Sequence, residues 1–329
     1  MSSWRPFWPA SGPRSWRRPG RPRAPRERGS AMAVIPVPAS LREAYLLGRE
    51  HLASCGVENP ELEAEVLLRH AAGLDRACLY VRWTRPPAPE VWARYVRLLE
   101  ARGAGRPTAY LLGEREFYGL PFLVDERVLI PRPETELLVD LALEAIRGVP
   151  EPVVVEVGTG SGAVAVAIAV HRREAVVYAT EISPGALEVA QGNARRHGVE
   201  GRVRFLLGDA LAPAEERGVR AHAVVSNPPY VPPQARAELP REVLAEPPIA
   251  LFAPGPTGTE VHARILAQAP RVLYPGGFLA LEVSPKWDQP GRVARMMGEA
   301  GFEGVRVERD LAGLERVVAG WWPGGRRNP

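Results

Sequence analysis

The sequence predicts an α/β protein in which a small bundle of helices and a β-hairpin precede a doubly wound, mostly parallel sheet of seven strands. Two patterns carry this prediction. From residue 152 onward, short apolar runs alternate with helical segments, as in parallel sheets with crossover helices. Between residues 40 and 103, apolar residues recur at helical spacing between helix start and stop signals. A length of 329 residues with 46% hydrophobic residues suffices for two globular domains.

The first 31 residues differ from the rest of the chain in charge and in proline content. They hold eight Arg, six Pro and one acidic residue, whereas the remaining chain carries 34 basic and 37 acidic residues. A basic, proline-rich segment forms no stable helix, so we expect a disordered tail over residues 1–38. A transit peptide is the alternative interpretation. We therefore expect a cytoplasmic protein, or an organellar one if the tail is a transit peptide.

The composition argues against several classes of protein. The two cysteines form no CxxC pair and the six histidines show no HxxxH spacing, which disfavours a disulfide scaffold and a zinc enzyme. The longest apolar stretch, Val153–Val170, contains Glu156 and three Gly, so it is not a membrane span. Outside the tail the net charge is −3, which does not favour a body built to bind nucleic acid. We expect neither a metal nor a membrane as a partner.

Residues 39–105 are predicted to form the helical bundle. Ser40–Glu43 is a capping box, in which the two side chains can bind free backbone amides reciprocally. Asn59-Pro60 opens a second helix, and a third runs from Pro89 to Gly103. No catalytic cluster occurs in this region, so the bundle is interpreted either as a docking domain for a partner or as a stabilising cap.

Residues 106–130 are predicted to connect the bundle to the sheet. The segment Ala109–Val124 has strand-like runs interrupted by Gly113 and Gly119, a pattern that predicts a β-hairpin. The sheet domain is then expected over residues 131–322, with a flexible C-terminus over residues 323–329.

Seven apolar runs in the sheet domain are typical of strands. They are residues 153–157, 176–179, 203–206, 221–225, 278–283, 304–307 and 316–319. Doubly wound sheets bind their ligands at the carboxyl ends of the strands, so the chemistry is expected directly after these runs.

Two features at the strand ends predict a cofactor that contains a nucleoside. The turn Gly158-Thr159-Gly160-Ser161-Gly162 follows the first strand and opens a helix, where backbone can approach a ligand closely. Glu181, at the end of the second strand, can accept the ribose hydroxyls. Ala163 stands where a dinucleotide fingerprint has its third glycine, although alanine is sometimes accepted there. These features by themselves leave the identity of the cofactor open.

The turn after the fourth strand is the more specific feature. Asn227-Pro228-Pro229-Tyr230 offers a side-chain carbonyl and a backbone carbonyl on a rigid turn. Two acceptors held in this way fit a planar NH2 group conjugated to a carbonyl or to an aromatic ring. The Tyr230 ring can pack against that planar group. The alternative is that the prolines only end the strand.

The chain resembles the release factor glutamine methyltransferases, the PrmC/HemK family. The resemblance covers roughly residues 40 to 320, in RPTAYLLGEREFYGLPF, LIPRPETELLV, VVEVGTGSGAVAVAIA, ATEISPGALEVAQGNA, VVSNPPYVPP and RDLAGLERVV. It implies a Rossmann-like class I methyltransferase fold, S-adenosyl-L-methionine as cofactor and peptide chain release factors as protein substrates. The implied reaction is methylation of the side-chain amide of the glutamine in a Gly-Gly-Gln motif.

The resemblance also implies roles for individual residues. Gly158–Gly162 would hold the methionine part of the cofactor, and Glu181, where the family usually has Asp, would hold its ribose. Asp209 and Ala210 would line the adenine pocket. Asn227, which would also border the cofactor, would bind the substrate glutamine together with Pro228, Pro229 and Tyr230. The sequence departs from the family pattern at Arg106, Thr257 and Ser284.

Two other functions stay open at the level of sequence. The Asn-Pro-Pro-Tyr motif is shared with methyltransferases of adenine and guanine amino groups, which would need to extrude the base from a duplex. A non-catalytic partner-binding protein with an inherited cofactor fold is the second alternative.

Overall fold

Four helices begin the part of the chain that this computed structural model describes, which is residues 37–323. They are α1 (Leu41–Ser54), α2 (Pro60–Ala72), α3 (Arg76–Val81) and α4 (Pro89–Gly103). The sequence predicts the starts of α1, α2 and α4 but not the short α3. The predicted tail lies outside the described residues except for its last two positions, and the predicted C-terminal segment lies outside them from residue 324.

The cap of α1 differs in one detail from the predicted capping box. The Ser40 hydroxyl accepts a hydrogen bond from the backbone N–H of Glu43 at 3.1 Å, as predicted. The Glu43 carboxylate accepts from the N–H of Ala39 at 2.7 Å, one residue further back than the box requires. The backbone N–H groups of Glu43 and Ala39 therefore both have a side-chain acceptor, but Ser40 and Glu43 do not form the reciprocal pair of a capping box.

The apolar faces of α1, α2 and α4 meet in a closed core. Its fully buried side chains include Leu52, Leu67, Leu68, Tyr95 and Leu99. The Tyr95 hydroxyl donates to the carbonyl of Ala64 at 3.1 Å, so the polar tip of the largest of these side chains has a partner.

A short helix and a hairpin follow the bundle. Helix α5 (Thr108–Leu112) ends at Gly113, which has a left-handed backbone, and the strands β1 (Glu114–Phe117) and β2 (Leu120–Leu123) pair antiparallel. The prediction of a strand-like run from Ala109 is therefore wrong for its first four residues. The side chain of Tyr110 is buried and its hydroxyl donates to the Val128 carbonyl at 2.6 Å, a tertiary contact that a five-residue helix needs and that periodicity cannot show.

The sheet domain alternates strands and helices. Its elements are α6 (Glu136–Ala145), β3 (Val153–Val157), α7 (Ala163–His171), β4 (Val176–Glu181), α8 (Pro184–Arg196), β5 (Val203–Leu207), α9 (Ala212–Glu216), β6 (Ala221–Ser226), α10 (Pro248–Leu251), α11 (Glu260–Val272), β7 (Leu273–Glu282), α12 (Gln289–Glu299), β8 (Glu303–Arg309) and β9 (Glu315–Trp322). Short 3-10 helices occupy Pro133–Thr135, Pro233–Glu238 and Val243–Ala245.

All seven predicted strands are present in one sheet, in the order β5-β4-β3-β6-β7-β9-β8. The strands from β5 to β7 in this order are parallel, and β9 runs antiparallel to both of its neighbours. The predicted fold class, a Rossmann-like class I methyltransferase sheet, is confirmed. Because β4 and β5 lie on one side of β3 and β6 lies on the other, the strand order reverses between β3 and β6, and ligands bind at such reversals.

Two apolar layers cover the sheet. One contains α6 and α7, and α7 is buried over Ala163–Ala169, in agreement with its lack of a polar face. The other contains α11 and α12 and includes Ile265, Leu266 and Val293. Within residues 37–323, no helix combines the length and the apolar character needed to cross a bilayer.

Candidate active site

A cavity of about 310 Å³ opens at the carboxyl ends of β3, β4, β5 and β6. The register places Val157 opposite both Thr180 and Ser226, so the turns after β3 and β6 leave the sheet side by side. The predicted site residues that line the cavity are Gly158, Gly160, Glu181, Asp209, Ala210, Asn227, Pro228 and Pro229. Thr159, Ser161, Gly162 and Tyr230 are not among the lining residues.

The glycine-rich turn presents backbone to the cavity and side chains to the protein interior. A Cβ atom built on Gly160 has no protein atom within 4 Å, so the turn borders open space there. The Thr159 hydroxyl donates to the buried carboxyl of Glu156 at 2.5 Å, and the Ser161 carbonyl accepts from the Asn193 side chain at 2.9 Å. Thr159 and Ser161 therefore hold the shape of the turn from behind.

Glu181 is almost fully buried, and its carboxylate accepts three backbone hydrogen bonds. Oε2 accepts from the N–H of Gly160, and Oε1 accepts from the N–H groups of Ile182 and Ser183, each at 2.9 Å. A carboxylate has about four acceptor positions, so one on Oε2 is left for a ligand hydroxyl. The acid is thus held in place by the glycine-rich turn and by the start of α8.

Asp209 and Ala210 form the next part of the cavity wall. Both carboxylate oxygens of Asp209 accept from one nitrogen of the Arg264 guanidinium at 2.7 Å. Ala210 has a φ of 48°, a left-handed conformation that is uncommon for alanine and that turns the chain at the end of β5. Arg264 also lines the cavity, so this ion pair borders the predicted adenine pocket.

Asn227 is held by a residue of the segment before α6. Its side-chain Nδ2 donates to the hydroxyl of Thr135 at 3.1 Å, and Thr135 is buried. Thr135 does not line the cavity whereas Asn227 does. The hydrogen bond thus engages the donor end of the carboxamide and leaves Oδ1 as its acceptor for a ligand.

Tyr230 contacts the protein interior. Its hydroxyl donates to Oε1 of Glu282 at 3.3 Å, and its carbonyl accepts from Nε2 of the fully buried Gln289 at 2.7 Å. Burial and the neighbouring Glu282 raise the pKa of the Tyr230 hydroxyl above its ordinary value. Gln289 thereby fixes the last residue of the Asn227–Tyr230 turn, and packing of the Tyr230 ring against a substrate amide stays a prediction.

Two family models match the chain: the PrmC N-terminal domain over residues 43–113 and the methyltransferase small domain over residues 134–255. The release factor glutamine methyltransferase of Moorella thermoacetica is 42% identical over 278 residues, which are 84% of this chain and 96% of that protein. The protein of the same name from Deinococcus radiodurans is 38% identical and covers 87% of this chain and 99% of its own length. The chain belongs to the release factor glutamine methyltransferase family. It is therefore a methyltransferase by family.

Two solved structures are similar to this chain. The release factor-specific protein-(glutamine-N5) methyltransferase of Alicyclobacillus acidocaldarius is 32% identical and covers 61% of this chain and 99% of its own, with a TM-score of 0.38. The catalytic domain of hMettl16, solved with an RNA hairpin, is 16% identical with a TM-score of 0.53, and covers 69% of this chain and 82% of its own. At that identity the likeness concerns the fold alone.

S-adenosyl-L-methionine is the methyl donor of this methyltransferase family, and the cavity has the features that such a cofactor requires. The glycine-rich turn exposes backbone at the start of α7, where a helix N-terminus favours a carboxylate. Glu181 keeps an acceptor position for a hydroxyl, and the volume lies in the range of ligand pockets. Among residues 37–323, no group of three His, Cys, Asp or Glu side chains is arranged to hold a metal ion.

The cavity wall also contains residues that the sequence analysis does not predict. Ile249 and Ala250 of α10 line the cavity, and so does Phe252, the residue that follows this helix. The buried Glu246, just before α10, accepts from the backbone N–H of Ile130 at 3.0 Å and from Arg132. These contacts join the wall to the PRPETE segment.

Thr135, Glu246 and Gln289 are not predicted from the sequence, because none of them directly follows a strand. Thr135 lies in the LIPRPETELLV segment that carries the family resemblance, so that segment was the available signal. Its contact with Asn227 joins residues 92 positions apart and is decided by tertiary packing.

Proposed function

We propose that this protein methylates the side-chain amide nitrogen of the glutamine in the Gly-Gly-Gln motif of peptide chain release factors. The observation that carries the proposal is that the turn Asn227–Pro229 and the cofactor turn at Gly158 border one cavity from adjacent strands. The family in which this chain falls supports the choice of substrate.

The chemistry requires a nucleophilic nitrogen to be placed in line with an activated methyl group, which S-adenosyl-L-methionine supplies when bound. An amide nitrogen is a weak nucleophile because its lone pair is shared with the carbonyl. Asn227 Oδ1 and the Pro228 carbonyl would accept its two N–H groups, fix the plane of the amide and favour release of its lone pair. No strong base is needed before the transfer, because the nitrogen would lose one proton to solvent only once the N–C bond forms and the S–C bond of the donor breaks.

Positioning is the largest effect that these residues can supply. Holding two reactants in a reactive geometry can be worth ~7–11 kcal/mol, and one hydrogen-bonding group aimed at developing charge about 2.7–4 kcal/mol. The turn has the rigidity that such positioning requires, since Gln289, Glu282 and Thr135 each hold one of its groups.

The division of the chain into functional parts is included in the proposal. Residues 39–105 would dock the release factor, and residues 106–130 would connect this bundle to the sheet domain. Residues 131–322 would carry out the methyl transfer. The relatives cited above are bacterial proteins, and with no membrane-crossing helix among the described residues we assign the protein to the cytoplasm.

The experiment that tests the proposal offers three acceptors to the protein with a methyl-labelled cofactor. A release factor with its Gly-Gly-Gln motif is expected to be labelled on the glutamine side chain, as mass spectrometry of the motif peptide would show. The same factor with this Gln changed to Ala is the matched control. Label on duplex or single-stranded DNA, with none on the release factor, would overturn the proposal in favour of a nucleic-acid methyltransferase.

A further inference from the structure

Gln289, the first residue of α12, forms hydrogen bonds to three separate segments of the chain. It is fully buried, and its Nε2 donates to the carbonyl of Tyr230 at 2.7 Å and to that of Gly258 at 3.3 Å. Its Oε1 accepts from the backbone N–H of Ser284 at 3.0 Å. Because a carbonyl only accepts and a backbone N–H only donates, these partners fix the orientation of the carboxamide. The side chain thus joins the Asn-Pro-Pro-Tyr turn to the segment before α11 and to the residues after β7.

The peptide group between Tyr230 and Val231 is held at both ends. Its carbonyl accepts from Gln289, and its N–H donates to the carbonyl of Leu251 at 3.0 Å. A planar peptide bonded at both ends cannot rotate without breaking one of the two bonds. The two prolines of the turn have a fixed φ, so little freedom is left between β6 and this peptide. The direction of the Pro228 carbonyl therefore depends on where Gln289 holds the end of the turn.

We propose that Gln289 is a positioning residue for the methyl transfer, because it fixes the direction in which the Asn-Pro-Pro-Tyr turn presents its acceptors to the substrate amide. Gly258 is the second positioning residue of this arrangement. The inference rests on the proposed function, since it needs a substrate amide bound by Asn227 and Pro228. Gln289 and Gly258 are not among the residues that line the cavity, so both act through the turn and leave the cofactor wall unchanged.

Gly258 allows the turn and Gln289 to approach each other closely. Its φ is 74°, a left-handed backbone conformation that favours glycine. A Cβ atom built on Gly258 would lie 2.4 Å from Nε2 of Gln289 and 2.4 Å from the carbonyl oxygen of Tyr230. Any side chain at this position would therefore push the end of the turn away from Gln289.

The chain directly before Gln289 has an unusual backbone. Trp287 and Asp288 have φ values of 60° and 53°, which are uncommon for residues other than glycine. Such a conformation persists only where the surrounding structure imposes it. The three hydrogen bonds of the Gln289 side chain supply that constraint, so the loop after β7 is held in the conformation that carries this amide into the interior.

All three hydrogen bonds of Gln289 use backbone groups of the partner residue. The sequence departs from the family pattern at Ser284, which is one of these partners, and at Thr257, which directly precedes another. Because the partner groups belong to the backbone, these departures leave the contacts of Gln289 in place.

The first test is the rate at which variants methylate a release factor. Gln289→Met keeps the length of the side chain and removes its three hydrogen bonds. It is expected to lower kcat by about 100-fold, the cost of a misplaced reactant, when the rate is counted per cofactor-binding site. Gln234→Met is the matched control, since the exposed Gln234 donates to the carbonyl of Pro256, two residues before Gly258, and does not touch the turn. It should keep the wild-type rate.

Gly258→Ala is the second variant, and it decides the question if Gln289→Met does not fold. The new methyl group would displace the Tyr230 carbonyl, so a similar loss in kcat is expected. Gly276→Ala is its control, because Gly276 has a φ of 77° and nothing lies within 4 Å of a Cβ atom built there. Calorimetry with S-adenosyl-homocysteine should give wild-type affinity and stoichiometry in all four variants, which separates a misdirected turn from a loss of folded protein.

Hydrogen exchange of the Val231 N–H tests the contact without any activity. This N–H belongs to the peptide that Gln289 holds, so it should exchange about 10-fold faster in Gln289→Met and in Gly258→Ala, the equivalent of about one hydrogen bond. The amides of β3 should keep their wild-type rates, because the change is local.

The inference would be overturned by a wild-type kcat or wild-type exchange at Val231 in the two variants, or by equal losses in the variants and their controls. If the wild type methylates no release factor and Val231 still exchanges faster in Gln289→Met, the proposed function fails, and the role of Gln289 in fixing the turn stands.

Discussion

The Asn227 side chain can bind a protein group and a ligand at the same time, because a carboxamide has a donor end and an acceptor end. Its Nδ2 is engaged by Thr135 at 3.1 Å, while its Oδ1 is left for a ligand in the cavity. The sequence predicts the acceptor role, and the structure adds the partner that orients it.

Replacement of Asn227 by Ala is expected to lower kcat by about 100- to 1,000-fold. The change removes one of the two acceptors of the substrate amide, and loss of one charge-stabilising group in an active site costs that much. The fold should be kept, because Asn227 is only half-buried. Methylation of a release factor, measured beside a thermal melt of the same variant, checks both parts. A wild-type rate would remove Asn227 from the catalytic residues.

Glu181→Ala is expected to weaken binding of S-adenosyl-L-methionine by about 10- to 100-fold. The carboxylate accepts three backbone N–H groups and keeps one acceptor position for the ligand, and a hydrogen bond to a charged group is worth about 1.5–3 kcal/mol. Calorimetric titration with the cofactor gives the dissociation constant. Glu114→Ala, which removes an exposed carboxylate bonded to Arg196 away from the cavity, is the control. Equal affinities of the two variants would contradict the assignment.

Glu156 should make the protein less stable as the pH rises. Burial raises the pKa of Glu156 from 4.5 to about 8, so between these values the unfolded state binds fewer protons than the folded state. The free energy of unfolding then falls with pH, by at most about 1.4 kcal/mol per pH unit. The lowered pKa of His262, about 4, works in the opposite direction only below pH 6.5. Above pH 6.5 the fall therefore comes from buried carboxyls, namely Glu156 and Glu282, the second of which has a pKa that burial raises to about 7.

Urea unfolding at pH 6.5 and pH 8 measures this effect. Glu156→Gln keeps an oxygen that can accept from the Thr159 hydroxyl and from the Ala165 N–H, and it cannot ionise. We expect a smaller loss of stability between the two pH values in the variant than in the wild type. An identical loss in both would show that Glu156 is already ionised at pH 6.5.

At the scale of elements, the glycine-rich turn packs closely against α8. Gly162 has a φ of 81°, and a Cβ atom there would lie 3.1 Å from the Cβ of Ala190 in α8. The sequence predicts this turn from its spacing, but the close approach of a second helix is visible only in the structure. Gly162 therefore serves both backbone conformation and packing.

The substitutions Gly162→Ala and Gly192→Ala are expected to change the free energy of unfolding in opposite directions. The first is expected to lower the free energy of unfolding by about 1–3 kcal/mol, because it places a side chain in a left-handed backbone against α8. The second lies within α8, with nothing within 4 Å of the new Cβ, and is expected to stabilise by about 0.4–1 kcal/mol. Chemical denaturation of both variants provides the comparison. Equal effects would contradict the packing argument.

At the scale of the whole molecule, Arg102 connects the helical bundle to the wall of the cavity. This buried side chain at the end of α4 donates from Nε to Glu63 at 3.1 Å, and it also forms an ion pair with Glu242. Glu242 and Glu246 flank the 3-10 helix Val243–Ala245, which leads into the cavity-lining α10. The bundle thus supports the cavity from outside through a few charged contacts.

Arg102→Met is expected to lower the free energy of unfolding by about 3 kcal/mol. This is the low end of the cost of breaking a buried ion pair, since Glu242 still reaches solvent. Arg106→Met removes an ion pair between two exposed side chains, to Glu126, and should cost less than about 1 kcal/mol. Thermal and urea unfolding compare the two variants. Similar losses of unfolding free energy in the two variants would show that the Arg102 contacts do not stabilise the packing of the bundle on the sheet domain.

Sequence patterns were sufficient for most of the fold. The seven apolar runs and the turns between them predicted the sheet, because buried parallel strands must be apolar on both faces. Two predicted strands end one or two residues too early, since Thr180, Glu181 and Ser226 are polar and still belong to the sheet ladder. The short helices α3 and α5 were not predicted, because five or six residues are too few to show a helical period.

The sequence by itself determined which residues follow the strands, and hence the glycine-rich turn, Glu181 and Asn227, because strand order and the direction of the chain bring such residues to one edge. Only the tertiary structure decided what stands behind them. Thr135, Glu282 and Gln289 are distant in sequence from the groups they hold, and no local pattern encodes such contacts. The physical reason is that backbone periodicity places residues on a face, whereas packing between elements selects their partners.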